Sequence, residues 1–150
     1  FLLQLTRLTS LDLSLNAWVD DPLLIGIAGS LSRIVHLTLE KTDVTDKGVA
    51  ALSSLRLLQH LDLSRNSIRG DDAALAAIKS LPALRSLLMP YCEVDLRVLT
   101  HLPPTLERLK LSRALYIGDE ALAFYASLLQ EGWERGAPCS LRELDLGSFG

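Results

Sequence analysis

A nine-residue frame recurs six times along the chain, with Leu or Ile at its first place, Leu at its fourth and Leu or Met at its sixth. It reads LTSLDLSLN from Leu8, IVHLTLEKT from Ile34, LQHLDLSRN from Leu58, LRSLLMPYC from Leu84, LERLKLSRA from Leu106 and LRELDLGSF from Leu141. The fourth-place leucines (11, 37, 61, 87, 109 and 144) are separated by 26, 24, 26, 22 and 35 residues. Chance does not align six such copies. A unit of this length cannot bury its apolar face alone, whereas stacked units share one continuous core. The frame therefore restricts the chain to a solenoid and explains why Leu supplies 36 of its 150 residues while Ile and Val together supply 12.

Within each frame the fourth and sixth residues are apolar and their neighbours mostly polar, the alternation of a short strand with one buried face. Two places beyond the ninth stands another large apolar residue: Trp18, Val44, Ile68, Val94 or Tyr116. A three-residue periodicity leads into the frames, as in Leu2-Leu5-Leu8, Leu52-Leu55-Leu58 and Leu75-Ile78-Leu81-Leu84, and belongs to helical or 3₁₀ segments. The ninth place holds Asn16, Thr42, Asn66, Cys92, Ala114 and Phe149. There the strand bends into a loop and leaves backbone groups unpaired, which an Asn side chain satisfies by donating and accepting; Thr and Cys do so in part, Ala and Phe not at all.

Composition excludes several classes. Apolar residues make up 49% and charged residues 22%, which rules out a disordered chain. No apolar run reaches the ~18–20 residues of a membrane span, and Phe1-Leu2-Leu3 is too short for a signal-peptide core. The net charge of −3 offers no global basic field for nucleic acid. Cys92 and Cys139 are the two cysteines, too few for a disulfide framework or a four-cysteine zinc site, and neither Asn lies in a glycosylation sequon. A reducing, cytoplasmic setting is expected. Gly-rich phosphate loops, H-E-x-x-H, C-x-x-C and Gly-flanked serine elbows are all missing from the sequence, so no enzyme, cofactor or metal is expected.

The repeats resemble the leucine-rich repeat family, whose pattern is L-x-x-L-x-L-x-x-N/C-x-L, and the resemblance covers residues 2–149. Val44–Leu52 (VTDKGVAAL) is similar to the D-x-G-x-x-x-L signature of ribonuclease-inhibitor-like and F-box-associated intracellular repeats, as is Ile117–Leu122. LPPTLERLKLS and CSLRELDL are similar to degenerate repeats of kinetoplastid proteins. The 22- and 35-residue spacings, Ala114 and Phe149 depart from the pattern. The resemblance implies an α/β horseshoe with a parallel concave β-sheet, helices on the convex side and a role in binding proteins. A substrate-recognition segment of a ubiquitin-ligase receptor and a regulator of a small GTPase are the alternatives it implies.

Strands are expected at 10–14, 36–40, 60–64, 86–90, 108–112 and 143–147, and helices near 21–30, 46–54, 71–80, 95–101 and 119–131. Asp46, Asp119 and Asp71 or Asp72 are the expected N-caps. Pro103-Pro104 forbids helix and shortens the fourth connection. Residues 132–140 (GWERGAPCS) stand outside the frame as a surface loop. The whole chain, 1–150, reads as one domain of about six repeats, which begins within a repeat and ends without a covering helix; further repeats of the same chain are expected to flank it.

On the concave face the third, fifth, seventh and eighth places form columns, with neighbours about 4.8 Å apart. Leu88, Pro90 and Tyr91 make the fourth repeat apolar and aromatic where the other copies are polar. This is a locally tolerated exposed patch, a contact with a further segment of the chain, or an anchor for a protein partner, and the anchor is the expectation. Arg65, Arg108, Lys110 and Arg113, with Lys41, gather positive charge around it, as a solvated surface or to attract an acidic segment of that partner. Asp12, Glu40 and Asp62 interrupt the stripe, which argues against nucleic acid. His36 and His60, counted with the partner-binding face, should lie side by side near Asp12 and Asp62, where solvated polar residues are the default over a metal or pH switch. Trp18 is expected in the core, Trp133 in the insertion, Cys92 in a structural role, and His101 as a solvated or capping residue.

Overall fold

The structure, a computed structural model, describes residues 1–113, 123, 127 and 140–147. Six strands of three residues each, β1 Ser10–Asp12, β2 His36–Thr38, β3 His60–Asp62, β4 Ser86–Leu88, β5 Arg108–Lys110 and β6 Glu143–Asp145, pair in chain order in one all-parallel sheet. Their register aligns equal frame places: Leu11, Leu37, Leu61, Leu87, Leu109 and Leu144 face one another in succession. The strands are shorter than the five residues expected. Beyond the fifth place the ladder continues only through alternate amides, such as Leu39 N to Asp62 O (2.8 Å) and Lys41 N to Ser64 O (2.9 Å).

That truncation has a backbone cause. Each described eighth-place residue (Leu15, Lys41, Arg65, Tyr91 and Arg113) adopts a positive φ, between 52° and 63°. The chain turns out of the sheet there. In the copies that read L-D-L-S, the fifth-place carboxylate prepares the turn. Ser14 N and Oγ donate to Asp12 Oδ1 at 2.9 and 2.6 Å, and Ser64 N and Oγ donate to Asp62. These bonds hold the Asp12 carboxyl below its ordinary pKa, the Ser14 hydroxyl contributing most.

Connections return as α1 Asp21–Ser30, α2 Asp46–Ala50 and α3 Asp72–Ser80, together with 3₁₀ turns at Leu2–Gln4, Ala51–Ser54 and Leu96–His101. The expected helix 46–54 thus changes from α to 3₁₀ at Ala51, and 95–101 is 3₁₀. Asp20, Asp71 and Asp95 cap α1, α3 and the last 3₁₀ turn. Asp46 does not cap its own helix; Thr45 does, by accepting from Lys47 N. Asp46 instead accepts from the amides of Arg69, Gly70 and Asp71, one coil further on (2.8–3.2 Å). Asp21 does the same for the second coil, taking Thr45 N at 2.8 Å, Thr45 Oγ1 at 2.6 Å and Gly48 N at 3.1 Å.

The core lies between sheet and helices and runs without a break through the stacked leucines. Val19, Val44, Ile68 and Val94 form its loop-side column, each at most 1% exposed. The expectation of Trp18 in this column is corrected: Trp18 is 63% exposed, with Nε1 donating to Asn16 Oδ1. The first loop carries one extra residue after its ninth place, so Val19 takes the buried position. The ninth-place side chains act as expected. Asn66 Nδ2 reaches Leu39 O, Leu63 O and Ser64 O, while Thr42 Oγ1 meets Leu39 O and Cys92 Sγ donates to Leu63 O. Burial pushes the Cys92 thiol up to about 11, as suits a structural cysteine. Asp119, Tyr116, Trp133, Cys139 and the insertion up to residue 139 lie outside the described residues, as do Ala114 and Phe149; of 119–131, Ala123 and Ser127 are described and both are helical.

Candidate functional site

The left-handed eighth-place residues bring Arg65, Tyr91 and Arg113 into one row. Tyr91 is 44% exposed, and its ring lies 4.5 Å from the Arg65 guanidinium and 5.7 Å from that of Arg113. Tyr91 N donates to Ser112 O and Arg65 N to Pro90 O, so the backbone that carries the row is pinned on both sides. A guanidinium on each side of an exposed phenol stiffens the ring without covering it. Leu88 is half-buried, between Asp62 and Lys110 in the register, and so contributes less open apolar surface than the sequence implied.

The positive charge gathered around this row is partly neutralised by the molecule itself. Arg65 pairs with Glu40 at 3.2 Å, and Arg108 and Lys110 both pair with Glu143, at 2.6 and 3.4 Å. These bonds, that from Arg108 first, hold the Glu143 carboxyl below its ordinary range. Lys41 and Arg113 have no carboxylate within ion-pair distance among the described residues.

His36 and His60 stack face to face, ring centroids 4.4 Å apart and planes inclined by 5°. Burial lowers the pKa of His60, and the positive charges of His36, Arg108 and Arg85 lower it further against the opposing Glu107. No three His, Cys, Asp or Glu side chains come together as a metal-binding group among the described residues. His101 Nδ1 lies 2.9 Å from Arg97 O, at the end of its 3₁₀ turn.

Beside the histidines the sheet face opens into a depression of about 300 Å³. His60, Ser86, Arg108 and Glu143 of the third-place row line it, with Arg85, Glu107 and Arg142 of the second-place row. The second-place residues were missed in the sequence because that place was not assigned to the open face. The alternation Arg85, Glu107, Arg142 at equal frame places is the signal that marks them. Arg85 and Glu107 form an ion pair across β4 and β5.

A leucine-rich repeat family model matches residues 54–75, which span the third frame and its approach. No curated protein sequence matches the chain. Among solved structures, an internalin (inlF) from Listeria monocytogenes is similar over 98% of this chain, with 22% identity and a TM-score of 0.68. A chain of the mouse RP105/MD-1 complex is similar over 73%, with 28% identity and a TM-score of 0.59. This chain spans 37% and 18% of the lengths of those two. With the one-strand-per-repeat parallel sheet, these likenesses show the fold to be an α/β leucine-rich repeat solenoid.

Proposed function

We propose that this chain is a non-catalytic protein-binding module that holds its partner on the sheet face around Tyr91. The observation that carries the reading is the Tyr91 ring, exposed and braced by Arg65 and Arg113. An aromatic flanked by guanidinium groups is the chemistry that concentrates binding energy in protein interfaces. The fold supports it, since stacked repeats create an extended face of side chains for binding. One of the similar solved structures is that of a complex, RP105/MD-1. Arg113 beside Tyr91 and Lys41 beside Arg65 have no carboxylate within ion-pair distance among the described residues, so an acidic residue of the partner beside Tyr91 fits. The helix-bearing, ribonuclease-inhibitor-like subtype is part of the same proposal, supported by α2 within the VTDKGVAAL stretch. An intracellular setting is consistent with the free, buried thiol of Cys92.

The test is capture of a defined partner by wild type and by Tyr91→Ala. Loss of the ring should weaken binding by about thirtyfold, the effect of a ~2 kcal/mol hot spot, with the melting midpoint unchanged. Leu88→Ala should weaken binding less and also lower the midpoint, because Leu88 is half-buried. Capture that survives Tyr91→Ala undiminished overturns the reading.

A further inference from the structure

The depression on the sheet face has a simple cause. In the third-place row the register sets Ser86 between His60 and Arg108. A side chain of two heavy atoms between an imidazole and a guanidinium leaves a notch, which Ser86 lines while itself only 5% exposed.

The notch is rich in donors and positive in sign. Arg108 engages Glu143 through Nε, and Arg85 engages Glu107 through Nη1. Their other N–H groups have no partner among the described residues, and Arg142 pairs with no carboxylate there. Three arginines thus face two glutamates that are already bonded. Guanidinium N–H groups at a recessed site match the paired oxygens of a carboxylate or phosphate. The Ser86 hydroxyl and an imidazole N–H of His60 add neutral donors.

We propose that this notch binds a single oxyanion, a carboxylate or a phosphate group, with Ser86 and Arg108 against it and Arg85 and Arg142 at the rim. The site is separate from the Tyr91 row and does not rest on the function proposed for it. Binding is coupled to pH through His60, which is faced by His36, Arg85, Arg108 and Glu107. Burial first, then a second imidazole and two arginines, disfavour its protonation, and a bound anion offsets the neighbouring charges. The anion therefore raises the His60 pKa, and by linkage binds more tightly as pH falls through the range in which His60 takes up its proton.

The test is NMR titration of the His60 ring in the 150-residue chain with inorganic phosphate, with acetate in parallel and chloride holding ionic strength constant. Phosphate or acetate should shift the ring resonances saturably and raise the apparent His60 pKa. A stronger effect of phosphate identifies a phosphate site, and equal or stronger effects of acetate a carboxylate site. Arg85→Gln with Arg108→Gln should weaken binding by about tenfold or more. Arg142→Gln, which breaks no ion pair among the described residues, should weaken it less and decides the matter if the double variant fails to fold. Tyr91→Ala should leave it unchanged. Absence of saturation, equal shifts with chloride, or wild-type binding by folded arginine variants overturns the proposal.

Discussion

The amide of Asn66 serves two coils at once. Nδ2 donates among Leu39 O, Leu63 O and Ser64 O, while Oδ1 accepts from Thr42 N at 3.0 Å and lies 2.9 Å from Thr42 Oγ1. At 5% exposure no water can replace these partners. Asn66→Ala should therefore cost about 3 kcal/mol, since buried carbonyls and an amide lose their bonds together. Cys92 holds the equivalent place with a single weak S–H donor, so Cys92→Ala should cost about 1 kcal/mol. Urea unfolding of the two variants checks the order; an Asn66→Ala midpoint within surface-substitution range would show that the network does not hold the bend. The role of Asn66 was legible in the sequence because amide chemistry at a bend is distinctive. The eighth place was not. Left-handed backbone normally selects Gly or Asn, yet Leu15, Lys41, Arg65, Tyr91 and Arg113 occupy it. The ladder bonds on either side impose the conformation, so residue preference carries no mark of it.

At the scale of elements, the bonds between successive coils explain why Asp and Gly stand together in Thr45-Asp46-Lys47-Gly48. Asp46 reaches forward to the third coil, while Gly48 makes room for Asp21 of the first. A Cβ on Gly48 would lie 2.6 Å from Asp21 Oδ1 and 3.3 Å from Asp21 Cα. Gly48→Ala must push the Asp21 carboxylate off Thr45 and Gly48 and should destabilise the protein by about 1–3 kcal/mol, although alanine is the better helix former. Hydrogen exchange at the Thr45 and Gly48 amides should rise in the variant; a neutral or stabilised variant would remove the brace from the account. α1 and α3 were legible to within a residue, α3 with its cap at Asp71. The cap at Asp46 was misplaced because an Asp ahead of a helix reads as a local cap, and its partners one coil away are invisible to a local pattern. Trp18 was misplaced for a related reason: a one-residue insertion in a loop shifts the inward position, and only packing reveals which residue follows it. The charged depression was half legible. His60 and Arg108 were found from their column, but Arg85 and Arg142 fell in a place not counted as open.

For the whole molecule, stability is carried from coil to coil, because each leucine packs against the coils on both sides rather than into one central core. The consequence is testable with two leucines at the same frame place. Leu61, on β3, has a paired strand on each side and is 1% exposed. Leu11, on β1, pairs with β2 alone and is only partly buried. Truncating Leu61 to alanine opens a cavity shared by three coils and should cost about 2–5 kcal/mol. The same change at Leu11 removes a side chain that already meets solvent, so its cost should fall below that range. Equal losses in urea unfolding would mean that burial does not follow position along the stack. A larger loss at Leu61 with an unchanged denaturant slope would show that the described coils unfold as one cooperative unit. If the slope instead falls, the cavity has uncoupled the coils on its two sides, and the Tyr91 row, carried by the coil next to Leu61, should lose partner binding in the same denaturant range.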